Sequence, residues 1–460
     1  MTPAPHSDAL VLFGVTGDLA RRKIFPALYA MAKRGSLDVP VIGVARSEWT
    51  LEELRARVRE SVEQHGAHEG RVDRKALSKL LAQLRYVGGD YRDAPTYAAL
   101  KQALGKAERP LHYLAIPPNL FGTVVEGLGK SSCAAHARIV VEKPFGRDLA
   151  SALALNATIE TVFDERHIFR IDHFLGKEAV QNLLVFRFAN TFLEPIWNNH
   201  YVQSVQVTLA EHFGVGGRGR FYEEVGAIRD VIQNHLLQVV GFLAMEPPAL
   251  GQRESISDEQ AKVFRLIRPL SPEHLVRGQY RGYRDEEGVA PDSQVETFAA
   301  VRLFIDSWRW EGVPFLVRTG KRLAVTATEV LVTLRRPPLA KLAQGETNYF
   351  RFRLSPEVII GLGARVKRAG DELVSEPTEF SVTDQPDGDE MDAYERLLGD
   401  AMEGDPMLFA RQDEVEAAWT VVDPVLGNVT PVNEYSPGSW GPPEADVLAA
   451  DVGGWHKPSR

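Results

Sequence analysis

Over its first third the chain alternates short apolar runs with stretches of helical spacing. Residues 9–14 (ALVLFG) form an apolar run of strand length, and helical spacing follows over 18–33. Further apolar runs fall at 39–45, 111–116 and 138–141, and a helix pattern covers 51–64. Such alternation predicts βαβ units and a parallel sheet. From about residue 176 the pattern changes. Residues 204–210, 298–305, 313–318, 330–335 and 348–354 are rich in β-branched and aromatic types with polar alternation. They predict a mainly antiparallel sheet with one exposed face. Helices are expected at 226–245, 394–401 and 413–421. The tail after residue 427, rich in Pro and Gly, reads as a loose surface wrap.

With 460 residues, the chain exceeds one compact core and predicts at least two domains. A net charge of −9 argues against nucleic acid as a partner. No apolar run approaches the roughly 18–20 residues of a membrane span, and no amino-terminal signal is visible. The single Cys133 excludes an intrachain disulfide, so the expected location is the cytoplasm.

The first strand runs into Gly14-Val15-Thr16-Gly17-Asp18-Leu19, ahead of a helix. Gly14 permits a tight turn, Gly17 allows close backbone approach to a pyrophosphate, and the helix amides face it. This predicts a Rossmann-type dinucleotide-binding domain, taken here as 1–175, followed by an α+β domain over 176–460. The second strand ends Ala45-Arg46-Ser47 rather than on an acid. An acid would favour NAD, whereas the Arg46 fork suits a 2′-phosphate, so NADP is expected. Gly129-Lys130-Ser131 is not a nucleotide P-loop, because the required first glycine is Val124.

Chemistry-bearing residues gather in three further places. Lys143, in EKPFG, follows the run at 138–141, and Pro144 is a candidate cis proline. RIDHFLGKE sets Asp172, His173 and Lys177 together at a strand-to-helix junction. The helix at 226–245 is apolar nearly all round, so Asp230, Asn234 and His235 on it are not solvent decoration. A histidine has the unperturbed pKa, ~6.5, suited to a general base near neutrality.

The ordered blocks GVTGDLA, EKPFG, RIDHFLGKE, IRDVIQNHLLQ, WRWEGVPF, RTGKRL and LFARQDEVEAAW resemble the glucose-6-phosphate dehydrogenase family, from about residue 8 to residue 440. The resemblance implies oxidation of β-D-glucose 6-phosphate to 6-phospho-D-glucono-1,5-lactone with NADP and without metal. It implies that His235 is the base and Asp172 its carboxylate partner. Lys143 then serves both sugar and nicotinamide, and His173 and Lys177 hold the phosphate. Glu211 and Asp230 bind sugar hydroxyls, and Arg318 and Lys321 add positive charge to the cleft. The Gly14–Leu19 loop, Arg46 and Tyr113 lie with the cofactor. A homodimer or homotetramer is expected, because the family forms both.

Three departures stand out. The tyrosine usual after the signature histidine is Phe174. The basic residue expected beyond RTGK is absent from the run 324–328, where Thr326 stands. No match to the additional structural NADP site of the animal enzymes is found, so none is expected. The altered phosphate end leaves a dehydrogenase of another hexose phosphate as an alternative. A catalytically inactive NADP or sugar-phosphate sensor is the alternative from another class.

Overall fold

The computed structural model describes residues 5–66, 71–249, 254–339, 342, 345, 347–384 and 391–459. Residues 1–4 of the polar amino-terminal stretch lie outside them. Internal contacts divide the chain into two units. The first comprises Met1–Lys177, Ala249–Ser257 and Glu390–Val415. The second comprises Glu178–Pro248, Asp258–Asp389 and Glu416–Arg460.

The first unit is built on six strands: β1 (Ala9–Phe13), β2 (Val41–Ala45), β3 (Leu84–Gly88), β4 (Pro110–Leu114), β5 (Arg138–Glu142) and β6 (Ile168–Ile171). They lie in the order β3-β2-β1-β4-β5-β6, all parallel. That is the doubly wound dinucleotide-binding arrangement. β1, β2, β4 and β5 are buried at every position, and apart from His112, Arg138 and Glu142 their residues are apolar. β3 was not expected: it is an edge strand, and LRYVG is half exposed. Local signals set the helix ends. Thr50 caps the helix Leu51–His65, and Glu53 returns the bond to the Thr50 amide.

The first unit is completed from far along the chain. The Arg138 guanidinium donates to Ser7 Oγ at 2.9 Å and to the Met402 carbonyl at 2.7 Å. Arg34 pairs with buried Glu395 at 2.9 Å. Arg170 on β6 bridges by backbone to Ala410, and Phe409 packs edge-on against Phe169 at 4.9 Å.

The second unit holds β7 (Val202–Ala210), β8 (Leu275–Tyr280), β9 (Phe298–Leu303), β10 (Phe315–Gly320), β11 (Ala327–Leu334), β12 (Tyr349–Ser355), β13 (Val358–Lys367), β14 (Ser375–Asp384) and β15 (Val432–Tyr435). They form one sheet, in the order β14-β13-β12-β11-β7-β10-β9-β8-β15. Most neighbours are antiparallel, as expected, but β7 with β10 and β8 with β15 are parallel. β8, β13, β14 and β15 had no expected counterpart. β13 carries two glycines, and β14 is largely polar with a proline, so neither shows a clean apolar period.

The tail corrects an expectation. It does not wrap loosely: β15 pairs with β8, and Tyr435, Leu448 and Trp455 are 3%, 4% and 8% exposed within one apolar cluster. The aromatic residues bring enough apolar area to anchor a segment otherwise rich in Pro and Gly.

Candidate active site

In the first unit the sheet's carboxyl edge presents the candidate groups. Gly14 has φ +79, and a Cβ there would stand 2.1 Å from the Ala115 carbonyl oxygen, so only glycine fits. Its amide donates to the Val44 carbonyl at 2.9 Å and to the Tyr91 hydroxyl at 3.0 Å. The Val15 side chain is buried beneath the loop against Gly43, which leaves its backbone as the part able to meet a ligand. Thr16, Gly17 and Leu19 are half-buried, and Asp18 is exposed at the start of the helix. That helix passes through a π-helical turn, Ala20–Ile24, before continuing as Phe25–Arg34. Arg46 follows β2, 79% exposed, and lies 3.8 Å from Asp90. A glycine turn that excludes a Cβ, a helix start and an open guanidinium at the end of β2 fit the pyrophosphate and 2′-phosphate of NADP.

β5 and β6 are parallel neighbours with Glu142 opposite Ile171. The next residue on each is Lys143 and Asp172, so register alone makes them adjacent exits of the sheet. The Lys143–Pro144 bond is cis. Asp172 is 1% exposed, and its carboxylate accepts from the Phe174 amide at 2.9 Å. The turn continues with the Leu175 amide on the Asp172 carbonyl and the Lys177 amide on the Phe174 carbonyl. Lys177 Nζ lies 4.0 Å from the centre of the Phe174 ring, a cation–π contact that needs no hydroxyl.

Behind this edge is a group that sequence reasoning passed over. Tyr113, expected with the cofactor, is wholly buried and donates its hydroxyl to Glu142 Oε1 at 2.5 Å. That bond braces the end of β5 from within the sheet. Burial pushes the Glu142 carboxyl up to about 7, against hydrogen bonds from Tyr113 and Tyr394 and the charge of Lys143. No periodicity pointed to Tyr394, which arrives on the helix Ala393–Glu403.

In the second unit the helix Gly219–Ala227 breaks at Gly226, where φ is +63 and a Cβ would meet Glu296 at 2.4 Å. Glu296 accepts from the Ile228 amide at 3.2 Å and pairs with buried Arg277 at 3.3 Å. This anchors the start of a π-helical segment, Ile228–Leu236, continued as Leu237–Ala244. A π-helix closes its turns over five residues. It therefore sets His235 one turn from Asp230, with Asn234 between them. His235 is 4% exposed, and its amide donates to the Asn234 side chain at 2.6 Å.

Glu211 and Lys321 are the residues just past β7 and β10, which run parallel with Ala210 opposite Gly320. The Lys321 ammonium donates directly to Glu211 and lies over the rings of Phe213 and Tyr222. Burial raises the Tyr222 hydroxyl pKa well above its usual value, and the charges of Asp230 and Glu211 add to the shift. These four polar side chains thus share one neighbourhood. At the departure, Thr326 Oγ1 accepts from the His212 amide at 3.1 Å and also meets the His212 ring.

Arg318 is a correction. It is 1% exposed, with its guanidinium 4.9 Å from the Trp440 ring and 4.7 Å from the Trp455 ring. It donates to Thr208 and to the His456 carbonyl, and burial lowers its pKa to about 9. It ties the tail to the sheet and adds no open charge.

A doubly wound sheet with a glycine loop and an arginine after β2, joined to a second unit carrying a buried histidine helix, defines a dinucleotide-dependent dehydrogenase. The family profiles "Glucose-6-phosphate dehydrogenase, NAD binding domain" and "Glucose-6-phosphate dehydrogenase, C-terminal domain" match residues 11–182 and 184–456. The chain belongs to the glucose-6-phosphate dehydrogenase family. It is 43% identical to glucose-6-phosphate 1-dehydrogenase 1 of Mycobacterium tuberculosis, over 98% of this chain and 97% of that one. The Aggregatibacter actinomycetemcomitans glucose-6-phosphate 1-dehydrogenase is 40% identical, over 98% and 97%. The crystal structure of the Mycobacterium avium enzyme superposes with a TM-score of 0.91 at 42% identity, covering 99% of this chain and all of that one. A glucose-6-phosphate dehydrogenase in complex with glucose 6-phosphate also superposes at 0.91, with 35% identity and the same coverage.

Proposed function

We propose that this chain oxidises β-D-glucose 6-phosphate at C1 to 6-phospho-D-glucono-1,5-lactone, the first step of the oxidative pentose phosphate pathway. The observation that carries this reading is the match of both halves to one enzyme family, at high identity over nearly the whole chain. NADP is held by the Gly14–Leu19 loop and Arg46, and when bound it supplies the nicotinamide that accepts the hydride.

The remaining work belongs to side chains of this chain. His235 takes the proton of the C1 hydroxyl as the hydride leaves. Asp172 fixes the imidazole tautomer and stabilises the imidazolium. Lys143 orients the reacting end. His173 and Lys177 hold the phosphate dianion, and Phe174 supports the lysine through its ring face. Glu211 and Asp230 bind sugar hydroxyls, with Lys321 keeping the charge of Glu211 compensated.

A homo-oligomer in the cytoplasm completes the reading. The exposed apolar residues Leu362, Phe380 and Val382 on β13 and β14 support self-association, which light scattering would measure. The test of function is NADPH appearance with purified protein against a panel of hexoses and hexose phosphates, with NADP or NAD. Glucose 6-phosphate with NADP should give the highest kcat/KM. A better hexose phosphate would overturn the substrate assignment, and the absence of any turnover would leave a sensor.

A further inference from the structure

We propose that Glu142 and Tyr394 are positioning residues for substrate binding: one buried carboxyl tethers Lys143 and, through the Tyr394 ring, His173. The proposal rests on the functional reading above. Glu142 is the last residue of β5, and Lys143 leaves the sheet directly after it. Its carboxyl accepts from two tyrosines that come from distant parts of the chain. Tyr113 reaches it from β4, at 2.5 Å. Tyr394 reaches it from the helix Ala393–Glu403, and is 7% exposed. The Tyr394 ring lies 13° from parallel to the His173 ring, with centroids 6.4 Å apart. That is within the range of offset stacking.

The arrangement has the form of a chain of contacts: Tyr113, Glu142, Tyr394, His173. Each hydrogen bond within it is buried, so each is costly to leave unmade. An imidazole that must meet a phosphate loses affinity when its orientation is free, because the ordering then falls on the binding step. Lys143 is held by the same carboxyl through the backbone. Neither Glu142 nor Tyr394 needs to touch substrate for this. Their effect is carried by Lys143 and His173.

The test is steady-state kinetics on Tyr394→Phe, Glu142→Gln and the double variant, beside the wild type. Tyr394→Phe keeps the ring and removes the bond that fixes it. It should raise KM for glucose 6-phosphate by about 5- to 15-fold, the worth of one buried hydrogen bond. It should change kcat by less than about 3-fold, and leave KM for NADP and turnover of free glucose unchanged. Glu142→Gln keeps an acceptor oxygen and so only weakens the contact, and the double variant should fall short of the product of the two single KM increases, because both act on one link. Wild-type KM in Tyr394→Phe overturns the proposal, even if its Tm falls, since the role is then structural only. KM increases that multiply in the double variant overturn it too. Should Glu142→Gln not fold, Tyr394→Phe decides by itself. A wild-type protein inactive on glucose 6-phosphate would overturn the functional reading itself.

Discussion

Two places in the molecule bring charged side chains together by the same device. In the first unit, β5 and β6 run parallel and in register, and the next residues on each are Lys143 and Asp172. In the second, β7 and β10 do the same and release Glu211 and Lys321. The surroundings differ. β5 and β6 belong to a wholly parallel sheet, where the carboxyl edge is the expected ligand side. β7 and β10 are a parallel pair inside a mostly antiparallel sheet. There, Glu211 and Lys321 neutralise one another directly. The contrast teaches that two parallel strands of equal reach suffice to bring an acid and a lysine to one edge, whether the sheet around them is wholly parallel or mostly antiparallel.

The deepest cut tests the chemistry that the first pair is proposed to serve. His235→Asn should reduce kcat about 10²- to 10⁴-fold, with Tm and substrate KM little changed. Asp172→Asn should fall alongside it in stopped-flow NADPH formation. Near-wild-type kcat in either would break the link between the β5–β6 edge and the base. Next, Lys177→Ala should lower kcat/KM for glucose 6-phosphate by roughly 10- to 150-fold, the worth of a charge-assisted bond to the dianion. Turnover of free glucose should stay where it was. Equal damage to both sugars would move Lys177 from the phosphate to the reaction centre.

Smaller effects separate the two edges. Arg46→Ala should raise KM for NADP by about 5- to 30-fold and leave that for NAD, discounted for an exposed side chain. Lys321→Ala should raise KM for glucose 6-phosphate by about 5-fold, with kcat nearly constant. A large kcat loss there would make the β7–β10 edge a partner in the chemistry rather than in binding. The smallest change is Phe174→Leu, which removes the ring under Lys177. A cation–π contact of this kind implies about 2- to 5-fold in KM for glucose 6-phosphate. Phe174→Tyr should be neutral or better.

The sheet of the first unit was legible because burial on both faces writes each strand as an apolar run, as at 9–14 and 138–141. The glycine loop was legible because Gly14 and Gly17 follow such a run. The histidine helix could be recognised by polar residues on an otherwise apolar helix, but its π-helical winding could not. One-dimensional spacing does not distinguish i→i+4 from i→i+5 closure when most of the helix is buried. The parallel pairing of β7 with β10 was hidden for a related reason: both strands read like their antiparallel neighbours. Arg318 misled because a basic residue beside a motif looks like a ligand, while the tryptophans that enclose it lie more than a hundred residues downstream. Glu142 was in view within EKPFG, but its partner Tyr394 was not, since the pairing exists only once Glu390–Val415 has returned to the first unit.

That return has a consequence for how the protein is made. The guanidinium of Arg138 closes on the Met402 carbonyl across 264 residues of chain. On a ribosome adding about 5–20 residues per second, the amino-terminal sheet waits roughly 13–50 s before its last supporting segment exists. During that interval β6 has emerged without the backbone of Ala410 to meet it. A chain that stops before residue 390 therefore carries all six strands of that sheet but lacks the segment Glu390–Val415 that packs against it.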